Sequence, residues 1–237
     1  MSRFSKRSEQ LEIMDDLTCS GEVVHQTLRE LEFINKWLGG NAITVNGIKK
    51  LKSLARSTSL EIADLGCGSG DMLKIISQVF SARGNTLKLT GFDANPDIVL
   101  YARKNCRALP TIQFETENIL SARFQERTFD IIAATLFLHH FTSRELVGIL
   151  RQLSKQTRTG IVINDLHRHP IAYYAITWLT RLFSKSSMVK YDAPLSVLRG
   201  FTRVEWIGIL KEAGITNFSL TWRWAFRWQV IIYSNKS

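Results

Sequence analysis

The 237-residue sequence lacks an apolar stretch long enough to cross a bilayer. Its longest uncharged apolar run, residues 131–138, is far shorter than the roughly 20 residues that a transmembrane helix needs. The basic start, residues 1–7, leads into acidic residues instead of an apolar core, so a secretory signal is not expected. With only four prolines and 45% hydrophobic residues, the composition excludes collagen-like and disordered chains.

The sequence is also poor in cysteine and in metal-binding patterns. It contains three cysteines, Cys19, Cys67 and Cys106, without C-x-x-C spacing, and it has no H-E-x-x-H pattern. Neither a disulfide framework nor a metal site is therefore predicted, and a reducing cytoplasm is the expected location.

Positive charge and tryptophan are concentrated toward the C-terminus. The net charge is +10, and residues 166–237 carry ten Lys or Arg against three Asp or Glu, together with five of the six tryptophans. Such a region could face nucleic acid, an anionic membrane or an acidic substrate. The alternative is that arginines alternate with core aromatics, because residues 222–228 have the period of two of a half-buried strand.

Short apolar runs alternate with helical patterns in the middle of the chain. The predicted strands cover residues 60–65, 87–92, 112–114, 129–134 and 160–164. Helices are predicted between them at residues 71–80, 96–106 and 143–155, and afterwards at residues 170–183 and 202–213. Two closing runs, residues 215–221 and 225–233, are expected to form an antiparallel pair. This order predicts an α/β fold with a doubly wound, mostly parallel sheet.

The chain ahead of the first strand has helical periodicity. Residues 10–38 and 44–55 predict an N-terminal helical cap that covers residues 1–57. The second predicted unit is residues 58–237, with an insertion at about residues 168–200.

A glycine-rich loop follows the first predicted strand. It has the pattern D-x-G-x-G-x-G, from Asp64 to Gly70, and Asp71 begins the next helix. The glycines let the backbone turn tightly and let a ligand approach its amides. A dinucleotide site would have G-x-G-x-x-G and a pyrophosphate at the helix N-terminus, which the carboxylate of Asp71 would oppose. The loop is therefore not typical of a nicotinamide or flavin site.

A second acidic residue, Asp93, ends the second predicted strand. Ligands of open α/β sheets bind at the carboxyl ends of the strands, so Asp93 is expected beside the glycine loop. A carboxylate at this position can accept hydrogen bonds from both hydroxyls of a ribose. The structural alternative is a cap or turn residue ahead of Pro96.

Three stretches together resemble class I S-adenosylmethionine-dependent methyltransferases: D-L-G-C-G-S-G, G-F-D-A-N-P and F-D-I-I-A-A-T-L-F-L-H-H-F, which begin at residues 64, 91 and 129. Over roughly residues 58–165 the sequence is similar to the small-molecule branch, which includes ubiquinone- and menaquinone-type and polyketide methyltransferases. The resemblance implies a Rossmann-like sheet of seven strands with the last strand antiparallel. It also implies S-adenosyl-L-methionine as the cofactor and S-adenosyl-L-homocysteine as the product.

The resemblance implies a set of cofactor-binding residues: Asp64, Gly66, Cys67, Gly68, Gly70, Asp93, Ala94, Asn118, Ile119 and Thr135. Asn118 departs from the family pattern, because it stands where an aspartate is usual. Its amide can both donate to and accept from the adenine edge.

The polar residues after the fourth and fifth strands are the candidates for acceptor chemistry. A general base is needed only if the acceptor arrives protonated. The catalytic candidates are His167, Asp165 and His139. The candidates for substrate binding are His140, Arg168, Tyr173 and Tyr174. Each has a structural alternative: packing or helix capping for the histidines, and a surface ion pair for Arg168.

The predicted helix at residues 170–183 is apolar nearly all round, which is typical of a buried helix. In folds of this family the insertion after strand five covers the acceptor pocket, so a lid is the first interpretation. The second is peripheral contact with a membrane surface, helped by Arg181, Lys185 and Lys190. Both imply a small hydrophobic, aromatic acceptor such as a phenol, a quinone or a polyketide-like molecule, methylated on oxygen or carbon in secondary metabolism.

Two other classes of protein remain as alternatives. An RNA methyltransferase would use the basic, tryptophan-rich C-terminal region. Base N-methylation is disfavoured, because residues 134–137 read A-T-L-F where a [D/N/S]-P-P-[Y/F/W] loop is usual, and no cysteine follows strand four or five for cytosine C5 chemistry. A non-enzymatic binding protein would need to have lost the cofactor, which the intact glycine loop opposes.

Overall fold

The computed structural model describes residues 2–55, 59–81 and 86–234, which build a seven-stranded sheet. The strands are β1 (Ser59–Leu65), β2 (Thr86–Asp93), β3 (Ile112–Thr116), β4 (Phe129–Thr135), β5 (Thr157–Leu166), β6 (Phe218–Arg223) and β7 (Arg227–Tyr233). Their order is β3-β2-β1-β4-β5-β7-β6, and β7 runs antiparallel to both of its neighbours. The predicted doubly wound, Rossmann-like sheet with an antiparallel last strand is therefore confirmed.

Helices cover both faces of this sheet. They are α1 (Glu22–Trp37), α2 (Gly40–Lys52), α3 (Asp71–Ser81), α4 (Pro96–Asn105), α5 (Ala122–Gln125), α6 (Ser143–Gln156), α7 (Pro170–Phe183), α8 (Ser187–Arg199) and α9 (Arg203–Glu212). Single 3-10 turns lie at Ile13–Asp15 and Leu138–His140. One apolar core joins the sheet to α2 and α3, and a second joins the opposite face to α6 and α9.

Strand β4 explains why the sheet is buried on both faces. Ile132 and Ala134 point into the core beneath α6 and α9, whereas Ile131 and Ala133 point into the core beneath α2 and α3. A continuous apolar run of this kind is typical of a parallel strand covered on both sides. Because β1 pairs with both β2 and β4, the strand order reverses at β1, and the loops diverge there to leave a crevice at the carboxyl ends.

The N-terminal region differs from the prediction over residues 10–21. Instead of a continuous helix, Ile13–Asp15 form one 3-10 turn, and α1 begins only afterwards. The backbone N–H groups of Ile13 and Met14 donate to the carboxylate of Asp192 in α8, at 2.8 and 3.2 Å. This contact from a distant helix fixes the start of the turn, so tertiary bonding overrides the local helical periodicity.

Helix α7 is not buried all round, contrary to what its composition predicts. Its buried residues are Ala172 and Thr180. More than half of the surface is exposed at Ile171, Tyr174, Trp178, Leu182 and Phe183. The inner side packs against α8, a helix that was not predicted from the sequence and that contains Pro194 in its interior. Within the described residues, no helix combines the length and the apolar character needed to span a membrane.

Candidate active site

A cleft of about 660 Å³ opens at the carboxyl ends of the central strands. Asp64 of β1, Asp93 of β2 and Thr135 of β4 line it on the side of the sheet. The N-terminal segment, α1, α7 and α8 line the other side. The strand ends therefore face a wall built from segments outside the central sheet.

The glycine loop shapes the floor of the cleft. Gly66 and Gly68 line it with φ angles of 63° and 51°, a region that side chains rarely adopt. A Cβ atom on Gly66 would lie 2.2 Å from the ring of Phe137, so this position has room only for glycine. Cys67, between the two glycines, also lines the cleft.

Three carboxylates, Asp64, Asp71 and Asp93, surround the loop and line the cleft. Asp64 is 2% exposed, and it has no hydrogen-bond or ion-pair partner among the described residues. Burial raises the pKa of Asp64 well above its ordinary value, and the negative charges of Asp71 and Asp93 raise it further. Burial also raises the pKa of Asp71 and of Asp93. This end of the cleft therefore holds three acidic groups whose ionised forms a bound cation would stabilise.

Asp93 is held by the backbone but is not the cap of α4. Its Oδ1 accepts a hydrogen bond from the Asn95 N–H at 3.0 Å, and its Oδ2 accepts from the Gly68 N–H at 3.4 Å. The cap is Asn95, whose Oδ1 accepts from the N–H groups of Asp97 and Ile98 at 2.9 and 3.3 Å. Because another residue fills the capping role, the carboxylate of Asp93 keeps lone pairs for a ligand.

The remaining predicted cofactor residues lie nearby, with one exception. Ala94, Asn118, Ile119 and Thr135 line the cleft. The Oδ1 of Asn118 accepts from the Leu120 N–H at 2.9 Å, so its amide NH₂ group is the part left for a ligand.

Gly70 does not line the cleft. A Cβ atom there would lie 2.7 Å from the ring of Phe114 and 2.8 Å from Sγ of Cys106, and its φ is 76°. Gly70 therefore lets the loop pack onto β3 and α4, which differs from the predicted contact with the cofactor.

His139 is the predicted catalytic residue that the structure brings into the cleft. It is 3% exposed, and its Nδ1 lies 2.8 Å from Oδ1 of Asp165. The backbone N–H of His139 donates to Oδ2 of the same carboxylate at 3.1 Å. Burial alone would raise the pKa of Asp165, but the charge and the hydrogen bond of His139 outweigh it and hold that pKa below its ordinary value. Asp165 does not line the cleft, so it is a positioning residue that orients His139.

The N-terminal segment brings two carboxylates to this place that sequence reasoning did not select as site residues. Asp15 accepts a hydrogen bond from Nδ1 of His140 at 2.6 Å and is paired with Arg199. Glu12 lines the cleft and accepts from the hydroxyl of Ser196 at 2.8 Å. Burial raises the pKa of Glu12 to about 7. The sequence alone assigns neither residue a role in the site, because their partners lie on distant parts of the chain.

Besides Gly70 and Asp165, four further predicted site residues lie outside the cleft: His167, Arg168, Tyr173 and Tyr174. Nδ1 of His167 accepts from Nε1 of Trp222 at 3.2 Å, and its ring packs edge-on against Trp228. This correction follows from the turn at the end of β5, which directs His167 toward the β6–β7 hairpin.

Arg168 does not have the substrate-binding position that was predicted, because its guanidinium is bonded within the protein. Its side chain is 1% exposed and pairs with Glu205 at 2.6 Å. It also donates to the carbonyl oxygens of Phe4 and Gly200 at 3.0 and 2.6 Å. A guanidinium with these partners ties α9 and the N-terminus to β5, and it has no group left for a substrate.

The two tyrosines face the N-terminus and the solvent. The ring of Tyr173 packs edge-on against Phe4, and its hydroxyl accepts from Arg3 at 2.9 Å. Tyr174 is 55% exposed. Both lie on α7, but its cleft side is formed by other residues, namely Ala172, Ala175, Ile176 and Leu179.

Arg227 is the cation of the cleft that the sequence analysis missed. It is 3% exposed, and its Nη2 donates to Oδ1 of Asn35 at 3.1 Å. Its Nη1 has no hydrogen-bond partner among the described residues. Burial lowers the pKa of Arg227 to about 10. The alternation of residues 222–228 predicted a strand face and gave no signal that this arginine would line the cleft.

Part of the basic excess near the C-terminus is buried. Arg168, Arg199 and Arg227, three of the ten basic residues after residue 165, are buried. Their charges are used inside the protein, in ion pairs with Glu205 and Asp15 or at the cleft. Nothing in this arrangement favours the RNA-binding alternative.

The strand order, the antiparallel β7 and the glycine loop at the end of β1 define the fold of class I methyltransferases. A family model described as a methyltransferase domain matches residues 62–160, which extend from β1 into β5. The predicted resemblance to class I S-adenosylmethionine-dependent methyltransferases is therefore confirmed, and it rests on the part of the chain that holds the glycine loop.

Curated relatives of the chain include quinone methyltransferases. The 2-phytyl-1,4-naphtoquinone methyltransferase of Synechococcus elongatus is 30% identical over 112 residues, which are 45% of this chain and 46% of that protein. The demethylmenaquinone methyltransferase of Chlorobaculum parvum is 24% identical over 179 residues, 70% of each protein. The chain spans about half the length of the first curated relatives that it matches.

A solved structure shares the fold over almost the whole chain. The plantazolicin methyltransferase BpumL, in complex with S-adenosylhomocysteine, superposes with a TM-score of 0.64 over 90% of this chain and 100% of that chain. The two sequences are 16% identical, so the likeness concerns the fold.

Proposed function

We propose that this protein is a methyltransferase that uses S-adenosyl-L-methionine, releases S-adenosyl-L-homocysteine and methylates a small hydrophobic, aromatic acceptor on oxygen or carbon. One observation carries the proposal: the cleft joins a glycine loop bordered by three acidic residues to a largely apolar compartment. The methyltransferase-domain match and the relatives that act on quinones support the same activity.

The carboxylates fit the charge of the cofactor. S-adenosylmethionine carries an ammonium and a sulfonium group, and a buried carboxylate with a raised pKa and no protein partner is stabilised by a bound cation. We assign Asp64 to the amino end and Asp93 to the ribose hydroxyls. Gly66 and Gly68 leave space for the methionine part, and Asn118 offers its amide to the adenine edge.

The acceptor compartment is lined by apolar side chains of four segments. They are Leu11, Leu31, Ile34, Leu38, Ile176, Leu179, Val189 and Val197. Such walls favour an aromatic acceptor and exclude water from the reacting groups. Arg227 favours an acceptor with an anionic oxygen, because such an oxygen can accept a hydrogen bond from Nη1 of Arg227. We propose that α7 and α8 are the lid and that the N-terminal region, residues 1–57, is the cap of this compartment.

The chemistry asks little of the protein beyond positioning. The bound cofactor would supply a methyl group whose bond to sulfur breaks, leaving the electron pair on sulfur, as the acceptor's electron pair forms the new bond. The protein holds the two reactants in line and keeps out water. We propose that Nε2 of His139 faces the reacting atom of the acceptor and that Asp165 fixes the orientation of the imidazole.

We also propose that α7 rests on an anionic membrane surface, from which a lipid-soluble acceptor would enter. Trp178, Leu182 and Phe183 are exposed beside Arg181 and Lys185, and no Asp or Glu lies between residues 166 and 191. Aromatic and aliphatic side chains next to basic ones are typical of interfacial helices.

Sedimentation with phosphatidylglycerol vesicles tests this contact. Trp178→Ser and Leu182→Ser should each weaken binding, whereas Val204→Ser, an exposed position on α9, should not. Equal vesicle binding by the wild type and all of these variants would contradict the proposed membrane contact.

The free thiols of Cys19, Cys67 and Cys106 support the cytoplasmic location proposed for the protein.

Isothermal calorimetry with S-adenosylhomocysteine tests the cofactor assignment. The full chain should bind it at micromolar concentration and should not bind NADH. Asp93→Ala should remove most of that affinity. Asp97→Asn, a change outside the cleft in a residue paired with His25, is the matched control and should bind normally. If Asp93→Ala binds S-adenosylhomocysteine as tightly as the wild type does, the ribose assignment is refuted. If the wild type does not bind S-adenosylhomocysteine, the proposed function is refuted.

A further inference from the structure

Three side chains that can ligate a metal ion meet at the acceptor end of the cleft. Glu12, His139 and His140 each present one ligand atom, and these atoms lie within 4.8 Å of one another. Glu12 comes from the N-terminal segment, whereas the histidines share the 3-10 turn after β4. All three residues line the cleft.

Glu12 lacks a partner for one of its oxygens. Its side chain is 4% exposed, yet Oε1 accepts no hydrogen bond from the described residues. The nearest cation is Arg199, whose Nε lies 3.7 Å from this oxygen and donates instead to the carbonyl oxygen of His139. A buried carboxylate oxygen without a donor is costly, so its position calls for a bound group.

Both imidazoles are held by a carboxylate at the same ring nitrogen. Nδ1 of His139 lies 2.8 Å from a carboxylate oxygen of Asp165, and Nδ1 of His140 lies 2.6 Å from one of Asp15. An ionised carboxylate can only accept, so each Nδ1 donates to its carboxylate and Nε2 is the ring nitrogen left for a ligand. A carboxylate behind each histidine is the usual outer shell of a metal site, where it sets the tautomer and the ring orientation.

The charges around the cluster favour a cation. Four carboxylates surround it: Glu12, Asp15, Asp165 and Asp192. Against them stand two guanidiniums, Arg199 and Arg7. Arg7 donates to the carbonyl oxygens of His139 and Phe141, so both arginines hold the backbone of the histidine turn. The acidic groups therefore outnumber the guanidiniums by two, four against two.

We infer that Glu12, His139 and His140 bind a divalent transition-metal ion such as Zn²⁺. Two imidazoles and a carboxylate form a ligand set of catalytic zinc sites, in which the fourth position is open. Tetrahedral zinc at ordinary bond lengths holds its ligand atoms about 3.4 Å apart. Oε1 of Glu12 lies 3.6 Å from Nε2 of His139, so little movement is needed to close that edge.

The open position would face the acceptor end of the cleft, and this part of the inference rests on the proposed function. An ion there would bind a hydroxyl or carbonyl oxygen of the acceptor and ease the loss of a hydroxyl proton. His139 would then act on the acceptor through the ion. Ion binding itself needs no acceptor and no cofactor, so it can be measured separately.

The test is calorimetric titration of the chelator-treated full chain with Zn²⁺, repeated with Co²⁺ while its visible absorption is recorded. We expect one ion per chain at micromolar affinity or tighter, with the intense bands of low-coordinate Co²⁺. Glu12→Gln keeps the shape of the side chain, and His140→Ala removes a ligand. Each should weaken binding ~10-fold or more, because even outer-shell changes at metal sites have effects of this size.

Two control variants exclude other zinc ligands. Cys19→Ser removes the partly exposed thiol, and His25→Gln removes a histidine that pairs with Asp97 outside the cleft. Both should bind like the wild type, and melting temperatures check that every variant folds. The inference would be overturned if the wild type bound no Zn²⁺, or if Glu12→Gln and His140→Ala bound Zn²⁺ as tightly as the wild type does. A parallel titration with S-adenosylhomocysteine reports on the proposed function independently of this result.

Discussion

Replacing Arg168 distinguishes a substrate-binding arginine from a structural one. Its guanidinium makes two bonds to Glu205, at 2.9 and 2.6 Å, and bonds to the carbonyl oxygens of Phe4 and Gly200. Breaking a buried ion pair by removing one partner typically costs about 3–5 kcal/mol. The carboxylate of Glu205 is 26% exposed and can be partly rehydrated, so the lower end, about 3 kcal/mol, is expected for Arg168→Met.

The assay for Arg168→Met is thermal unfolding followed by circular dichroism, beside calorimetry with S-adenosylhomocysteine. For a chain of this length about 3 kcal/mol lowers Tm by roughly 6–12 °C. Arg181→Met, an exposed arginine on α7, is the matched control and should leave Tm unchanged. Cofactor affinity should be the same in both variants at a temperature where both are folded. An unchanged Tm for Arg168→Met would refute the structural role assigned to this residue.

Three further changes probe the cleft itself. Asp64→Asn should weaken binding of S-adenosylhomocysteine in calorimetry ~10-fold or more, because a hydrogen bond to a charged group is lost. The pKa of Asp64 is raised in the folded state, so the free energy of unfolding of the ligand-free protein falls as the pH rises from about 4 through that raised pKa. Urea unfolding of Asp64→Asn should not show this fall. Gly66→Ala should cost at least about 1–2 kcal/mol in urea unfolding, because its φ is 63° and its Cβ would meet Phe137; equal stability would contradict that geometry. Asp165→Asn should weaken Zn²⁺ binding ~10-fold by loosening His139, and unchanged titrations would remove Asp165 from its positioning role.

The half of the cleft that we propose for the cofactor has residues whose positions could be predicted, because local sequence determines them. The glycine loop, Asp93 and Thr135 each follow directly on an apolar strand, and parallel strands bring their carboxyl ends to one edge. Neighbours within a few residues, such as the Asn95 cap, complete the geometry there.

The acceptor half depends on contacts that no local pattern encodes. Arg168 and Arg227 both lie in basic, aromatic surroundings, and only the packing of α9 against the end of β5 decides which of them is neutralised. Glu12 reaches the histidines because Asp192 of α8 fixes the 3-10 turn that carries it. The exposed side of α7 was missed for the same reason, since composition does not reveal how many sides of a helix find a neighbour.

The proposed cofactor and acceptor sites are formed by different segments of the chain. The acceptor site can therefore change while the cofactor site stays the same. The end proposed for the cofactor lies within residues 62–160, the stretch that matches the methyltransferase-domain model, whereas the apolar walls and Arg227 come from sequence on either side of it. Substitutions in these flanks can alter acceptor choice while the glycine loop and its carboxylates stay intact. A hybrid that joins this central stretch to the flanks of another methyltransferase should therefore take its acceptor preference from the flanks. Grafting α7 and α8 is the natural first step in redirecting such an enzyme.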